Sequence, residues 1–404
     1  MKLLLINSFL HPRGGDTTLF FAEWQGWVTR GVDVIPFAMR HPDNLASEWG
    51  ARFPSWRSPR AIGEPRVSAR SAAAVLRGTW NTEAASALDA VCRQVRPHAA
   101  HVHHLPRHLT PAIFPILRRH KVRCVWTLHD HELVCPTGLR YAEGRPCDRC
   151  LGGNYSEAIR MRCKDGDRLA SVAVAFEKTV HRALRGNVGP HAYVSPSRFL
   201  ADSLVSDGLP RDSVHHVPNL VAVTSEPGPV GKNVVFAGRL TEEKGIGEVA
   251  ALARALPAVG VDVFGEGPAA ARLAGLHNVR LHGSRPVGEV HAALSTAGVV
   301  VVPSRWPENQ PYAVTEAQLL SRAVVASAIG GIPELIDDGV DGRLVPPGDA
   351  GALVAATRAL LDDPAAAARL GAAARERVAR TNSASDFFTR MEALLWPDAT
   401  RIGA

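Results

Sequence analysis

Short apolar runs alternate with longer stretches of helical period along most of the chain. "KLLLINS" reads as a buried strand. "GGDTTLFFAEWQGWVTRG" reads as a glycine turn, a threonine cap and a helix closed by Gly31. "VDVIPFAM" is the next strand, and the alanine-rich stretch from Arg70 to Arg96 is helical. "HAAHVHH" and "VRCVWTLHD" are further strands, separated by the helical "TPAIFPILRRHK". Strands that alternate with helices in this way predict a parallel sheet with right-handed crossovers.

After Asn219 the segment "VAVTSEPGPVGKN" is rich in Pro, Gly and Ser and reads as a linker. The alternation then restarts with "VVFAGRL", "VDVFGEG", "VRLHGS", "GVVVVPS", "AVVASAIGG" and "GRLVPPGD", each followed by a helical pattern. The last apolar helical pattern is "DFFTRMEALLW". The expectation is an α/β protein of two doubly wound, Rossmann-like domains facing across a cleft, with strand carboxyl ends on either side. The first domain runs over 1–219 with a cysteine-rich insertion at 135–163, and the second over 220–382. A C-terminal helix in 383–404 crosses back to the first.

Composition narrows the class. Hydrophobic residues make up 46% and charged residues 21% of 404, an ordinary globular balance. The formal charge of +7 is unevenly spread. Residues 1–218 carry 29 Lys and Arg against 19 Asp and Glu, whereas 219–404 carry 17 against 20. A basic half can meet nucleic acid, anionic lipid or phosphorylated substrates, but composition alone favours a solvated arginine-rich surface. "MKLLLINSFLHP" fits a first strand better than an export signal, and no apolar run reaches the roughly 20 residues of a membrane span. A cytoplasmic protein with reduced cysteines is expected, able to touch an anionic membrane.

Candidate chemistry sits at the strand ends. Gly14 and Gly15 let the backbone approach a ligand, and the helix behind them offers free N–H groups to a phosphate. Arg239 lies just past a strand and Lys244 five residues on; two cations there suit a diphosphate, or are solvated loop charges. In "VVVVPSRWPENQPYAVTEAQ" the strand Val299–Val302 leads to a loop from Pro303 to Pro311, with a helix from about Tyr312. Glu308 therefore stands in the loop and Glu316 one turn into the helix, so they reach different parts of a ligand.

These motifs, with "GRLTEEKG", "GEGP", "HGSRP", "GGIPELI" and "DGRLVPPGD" in order, resemble glycosyltransferase family 4, retaining enzymes of GT-B fold. The resemblance extends to the first domain through the Gly-Gly turn, "HVHH", "TLHDHELVCP" and "VSPSRFLADSLV", and is weakest over residues 41–80. It implies a sugar transferred from a nucleotide-sugar donor to a hydroxyl acceptor, in polysaccharide, glycolipid or secondary-metabolite synthesis. Glu316 would hold the ribose, Arg239 and Lys244 the diphosphate, and Glu308 with the amides of Asn309 and Gln310 the sugar. Gly15 would serve the phosphate, and His129 would lie by the reacting carbon. Gly14, His103 and His104 are candidates on the acceptor side. The chain departs from the family at Gln310–Pro311, where many members read Phe-Gly, and Pro311 donates no amide. Catalysis would need no metal for the diphosphate, with no Asp-x-Asp run of the metal-dependent kind, and no aromatic-basic pattern points to nucleic acid. A nucleotide-sugar epimerase of the same fold and a non-catalytic nucleotide-sugar binder are the rival readings.

Cys135, Cys147, Cys150 and Cys163 fall as C-x11-C-x2-C-x12-C. That spacing suits a four-thiolate zinc site ordering a long loop, or reduced cysteines in a small core. A subgroup of the family is similar here. Cys92 and Cys124 lie on helix and strand patterns and are read as core.

Overall fold

The computed structural model describes residues 1–12, 14–56, 69–105 and 107–397. Arg13 of the first glycine turn, part of the weakly matching 41–80 stretch, and the end of the C-terminal segment fall outside the described residues. The chain forms two compact units. The first holds Met1–Arg140, Cys147–Val217 and the segment from Ser385; the second holds Tyr141–Pro146 and Pro218–Ala384.

In the first unit the strands are β1 (Lys2–Ile6), β2 (Asp33–Phe37), β3 (Ala99–Val102) and β4 (Arg123–Thr127), then β7 (Ala192–Ser195) and β8 (Val214–His216). Among the described residues they form one parallel sheet in the order β2-β1-β3-β4-β7-β8. Leu3 to Ile6 are wholly buried, as expected of a parallel strand covered on both faces. The helical stretch from Arg70 to Arg96 is divided into two helices, Ala69–Thr79 and Thr82–Val95. Asn81 makes the break: its side chain caps the second helix by accepting from Ala84 N at 3.0 Å and donates to His108 O at 2.6 Å. The helix Ala384–Leu395 belongs to this unit. Phe388 packs edge-on to Trp27 at 4.7 Å and lies over Gly26, where a Cβ would come within 2.1 Å of its ring.

The cysteine-rich excursion is short-range structure rather than open loop. It contains the antiparallel pair β5 (Tyr141–Ala142) and β6 (Arg145–Pro146), which goes with the second unit, and a helix Ser156–Arg160 in the first. Its base is moored by polar contacts: Gly152 N donates to Asp207 Oδ1 at 2.8 Å, and Arg140 Nη1 donates to Ser203 Oγ at 2.6 Å.

The second unit has β9 (Val234–Ala237), β10 (Val261–Phe264), β11 (Val279–Gly283), β12 (Val299–Val302), β13 (Val324–Ser327) and β14 (Arg343–Val345). All described pairs are parallel, in the order β11-β10-β9-β12-β13-β14. Alternate residues feed two cores: Val234, Val261, Val299 and Val325 on one face, Val235, Val300, Val324 and Ala326 on the other. The stretch after "AIGG" is only a 3-10 turn, Ile332–Glu334, where the sequence pattern predicts a helix. A helix the apolar pattern hid, Pro364–Thr381, buries Ala367, Gly371, Ala374 and Val378, a face too small-residued to register as hydrophobic. Among the described residues no helix is long and apolar enough to cross a membrane.

Candidate active site

A doubly wound sheet binds ligands outside its strand carboxyl ends, where the strand order reverses. In the second unit that point lies between β9 and β12. The loop leaving β9 carries Arg239, then a 3-10 turn Glu242–Lys244, then the helix Ile246–Ala255. Gly245 joins turn to helix at φ +79°, and a Cβ there would stand 2.0 Å from Pro303 O. The loops after β9 and β12 therefore pack backbone against backbone. This approach delivers Lys244 to Glu308: Nζ and Oε1 are 2.6 Å apart. The same oxygen accepts from Ser304 Oγ at 2.6 Å. The Glu308 side chain is 5% exposed and that of Lys244 19%, so the pair is largely shielded from water. Lys244 Nζ also stands 5.1 Å from the Trp306 ring centre. Arg239 is different. It is 61% exposed and pairs loosely with Glu243 at 3.7 Å, so it is a solvated cation on the rim of the same loop.

The loop 303–311 rests on the "GGIPELI" turn. Gly331 N donates to Glu308 O at 2.8 Å. Gly330 has φ +60°, and a Cβ on it would lie 2.2 Å from that same oxygen. Asn309 and Gln310 are both buried. Gln310 Oε1 accepts from Asn219 N at 2.6 Å, which fixes the side chain and leaves its buried Nε2 donor with no partner among the described residues. Glu316, in the helix Tyr312–Leu319, faces His291: Oε1 and Nε2 are 3.4 Å apart. His291 Nδ1 takes the Thr224 N–H at 3.1 Å, so its proton is on Nε2, toward the carboxylate. The structure thus gives the two glutamates separate partners within one unit, Lys244 for Glu308 and His291 for Glu316.

In the first unit the order reverses between β1 and β3. Gly14 and Gly15 are exposed at the start of the helix Gly15–Thr29. The Gly14 N–H is already given to Thr17 Oγ1 at 3.1 Å. His103 and His104 follow β3. His104 is part-buried, with Nδ1 3.0 Å from Ser8 Oγ. His103 is buried to 1% exposure, which takes its side chain away from direct acceptor contact. It lies 3.1 Å, Nδ1 to Nε2, from His129, which follows β4 and is half-buried. Burial pushes His129 well below the ordinary imidazole range, so it is neutral at pH 7. Behind them is Glu23. Burial would raise this carboxyl, but His101 and His103 hold it far below the usual carboxylate range.

All four cysteines of the excursion are free thiols. Burial pushes Cys150 up to about 12, and Cys135, Cys163 and Cys147 add to that push, so the four share one electrostatic neighbourhood. Groups whose ligand atoms already lie within 4.8 Å of one another are elsewhere among the described residues, at His11–His41–Asp43, Glu23–His101–His103 and His104–Asp130–Glu132. Cys92 and Cys124 are buried in the first core.

Ser304, His291 and Glu23 do not stand out in the sequence as site residues. Ser304 follows a strand directly, which is a readable signal. His291 and Glu23 lie inside ordinary helical patterns and carry none.

Comparison with known proteins bears on these residues together. Residues 231–363 match the family described as Glycosyl transferases group 1. The chain is similar to glycogen synthase of Mycobacterium tuberculosis (strain ATCC 25618 / H37Rv), 36% identical over 159 residues, covering 36% of this chain and 37% of the relative. It is similar also to the amylovoran biosynthesis glycosyltransferase AmsK of Erwinia amylovora, 34% identical over 161 residues, covering 36% of this chain and 40% of that one. The chain thus spans well under half the length of these curated relatives. Among solved structures, sucrose-phosphate synthase from Thermosynechococcus elongatus superposes with a TM-score of 0.68 at 19% identity, over 97% of this chain and 98% of that one. Anabaena HepE in complex with UDP and glucose superposes with a TM-score of 0.65 at 15% identity, over 98% and 99%. The chain has the GT-B fold of these glycosyltransferases, and its group 1 match lies in the second unit, across the strand ends that carry Lys244, Glu308 and Glu316.

Proposed function

We propose that the protein is a retaining glycosyltransferase of the family 4 type, which moves a sugar from a nucleotide-sugar donor to a hydroxyl on a sugar, lipid-linked or small-molecule acceptor. The observation that carries this reading is the Lys244–Glu308–Ser304 cluster at the switch point of the second unit, inside the segment matched to group 1 glycosyl transferases. HepE, whose fold is similar, was solved with UDP and glucose bound, which agrees with a donor of this class.

The sugar–phosphate bond breaks with oxocarbenium character, and negative charge grows on the diphosphate. Lys244 and the first turn of the helix Ile246–Ala255 stabilise that charge because they are fixed before it develops, and the solvated Arg239 adds a second cation at the rim. Glu308, held by Lys244 and Ser304, lies at the sugar end with Asn309 and Gln310, and the unpaired Gln310 Nε2 is a ready donor to a sugar hydroxyl. Glu316, oriented by His291, takes the ribose hydroxyls. The acceptor hydroxyl attacks the face the phosphate leaves, its proton passes to the departing phosphate, and the configuration is retained. In the first unit, Gly14, Gly15, His104 and His129 are the residues assigned to substrate, and acceptor recognition is assigned to this unit. No metal is assigned to the diphosphate. A panel of nucleotide sugars in a thermal-shift assay tests the reading, because a ligand bound only by the native state raises the melting temperature. No response to any nucleotide sugar or nucleoside diphosphate would overturn it.

The cysteine-rich excursion is assigned a structural zinc, held by Cys135, Cys147, Cys150 and Cys163 as thiolates. The donor chemistry suits the metal: burial and the neighbouring cysteines resist ionisation of Cys150, and a divalent cation would reverse both effects. Metal analysis of the purified protein is expected to find about one zinc per chain, with loss of stability on chelation. A metal-free protein of unchanged stability would reject it.

A further inference from the structure

Glu23 is wholly enclosed in the first unit. It lies on the face of the helix Gly15–Thr29 that also buries Leu19, Phe20 and Trp27, where packing alone gives no reason for a carboxylate. A buried ion is costly unless several donors meet it. Three do. Trp27 Nε1 and His101 Nδ1 each reach Oε1 at 2.7 Å. His103 Nε2 stands 3.1 Å from Oε2, off the line of an ideal hydrogen bond.

An ionised carboxylate only accepts, so the nitrogens that face it carry protons. His101 is protonated at Nδ1, and its Nε2, 2.7 Å from Thr127 Oγ1, accepts the threonine hydroxyl. His103 is protonated at Nε2. As a neutral imidazole its Nδ1 is then bare, and this nitrogen faces His129 Nε2 at 3.1 Å. The proton between them belongs to His129. Its remaining nitrogen, Nδ1, keeps a lone pair with no hydrogen-bond partner among the described residues.

We propose that Glu23 and His103 are positioning residues that lock His129 in its Nε2–H tautomer, so that Nδ1 is left as a hydrogen-bond acceptor for a hydroxyl of the substrate bound by this unit. The identity of the hydroxyl's owner rests on the transferase reading; the tautomer does not. A neutral imidazole can accept such a hydroxyl, and an imidazolium cannot. The arrangement also explains why two histidines and an indole are spent on one enclosed carboxylate.

Nitrogen NMR of the full-length protein labelled at histidine tests this, with His129 signals assigned by their loss in His129→Gln. At neutral pH the wild type is expected to show His129 protonated at Nε2 and bare at Nδ1. Glu23→Gln, which can turn a donor toward His103, is expected to shift His129 toward the other tautomer and to lower turnover at least about tenfold with little change in KM for the donor, as a misplaced histidine proton does in other enzymes. His103→Asn, whose side-chain oxygen can replace Nδ1 as acceptor, is expected to keep the His129 signature. Nδ1–H or imidazolium at His129 in the wild type overturns the proposal, and so does an unaltered His129 spectrum in Glu23→Gln. If the signature is present and no sugar transfer occurs, the transferase reading fails and the tautomer assignment stands.

Discussion

Lys244 and Glu308 are best understood as one unit of chemistry, because each is the other's nearest charge in a nearly dry setting. Lys244→Met leaves Glu308 enclosed with Ser304 as its remaining partner, which is expected to cost about 3 kcal/mol of stability. It should also lower turnover about a hundredfold, the scale seen when one preorganised charge stabiliser is removed. Adding Glu308→Gln removes the orphaned charge, so the double variant should regain most of the melting temperature without regaining turnover. Recovery of turnover would mean that Lys244 serves only to neutralise Glu308. The placement of the two glutamates in loop and helix was legible, because a valine run, prolines and a helical period mark the boundaries. Their partners were not. His291 lies 25 residues before Glu316, and the Lys244–Glu308 contact spans 64, so both depend on how the sheet brings distant strand ends together.

At the scale of elements, two backbone approaches hold the site: Gly245 against Pro303 O and Gly330 against Glu308 O. Gly245→Ala adds a Cβ both to a left-handed conformation and to a 2.0 Å clash, so it should cost more than about 1–3 kcal/mol and displace Lys244. Gly247, two residues on in the helix Ile246–Ala255, has nothing within 4 Å of its Cβ position, and Gly247→Ala should leave stability unchanged or raise it by up to about 1 kcal/mol. Denaturant unfolding of the two variants checks this; equal effects would contradict it. The strands were legible in sequence because parallel strands buried on both faces are continuous valine and leucine runs. The helices were less so. Asn81 splits one apparent helix by capping its second half, and Pro364–Thr381 packs through alanine and glycine, which hydrophobic periodicity does not register.

At the scale of the whole molecule, several histidines share a sign. His129, His181, His191 and His215 are all lowered from the ordinary 6.5, each first of all by burial. The unfolded chain takes up protons below about pH 6.5 that the folded chain resists, so stability is full above that pH and falls as pH drops through it. Glu23, whose folded value is also depressed, adds a second loss as pH falls below its ordinary 4.5. Melting temperature should therefore decline between about pH 7 and 5, and more steeply below; a flat profile over that range would contradict these assignments. The central claim is that the strand ends of the second unit bind a nucleotide sugar with Glu316 at the ribose. Calorimetric titration of a donor found in the thermal-shift panel, into the wild type and into Glu316→Ala, tests it most directly. Loss of charge-assisted hydrogen bonds of about 1.5–3 kcal/mol should weaken binding roughly tenfold to a hundredfold; equal affinity in the two proteins would contradict the account.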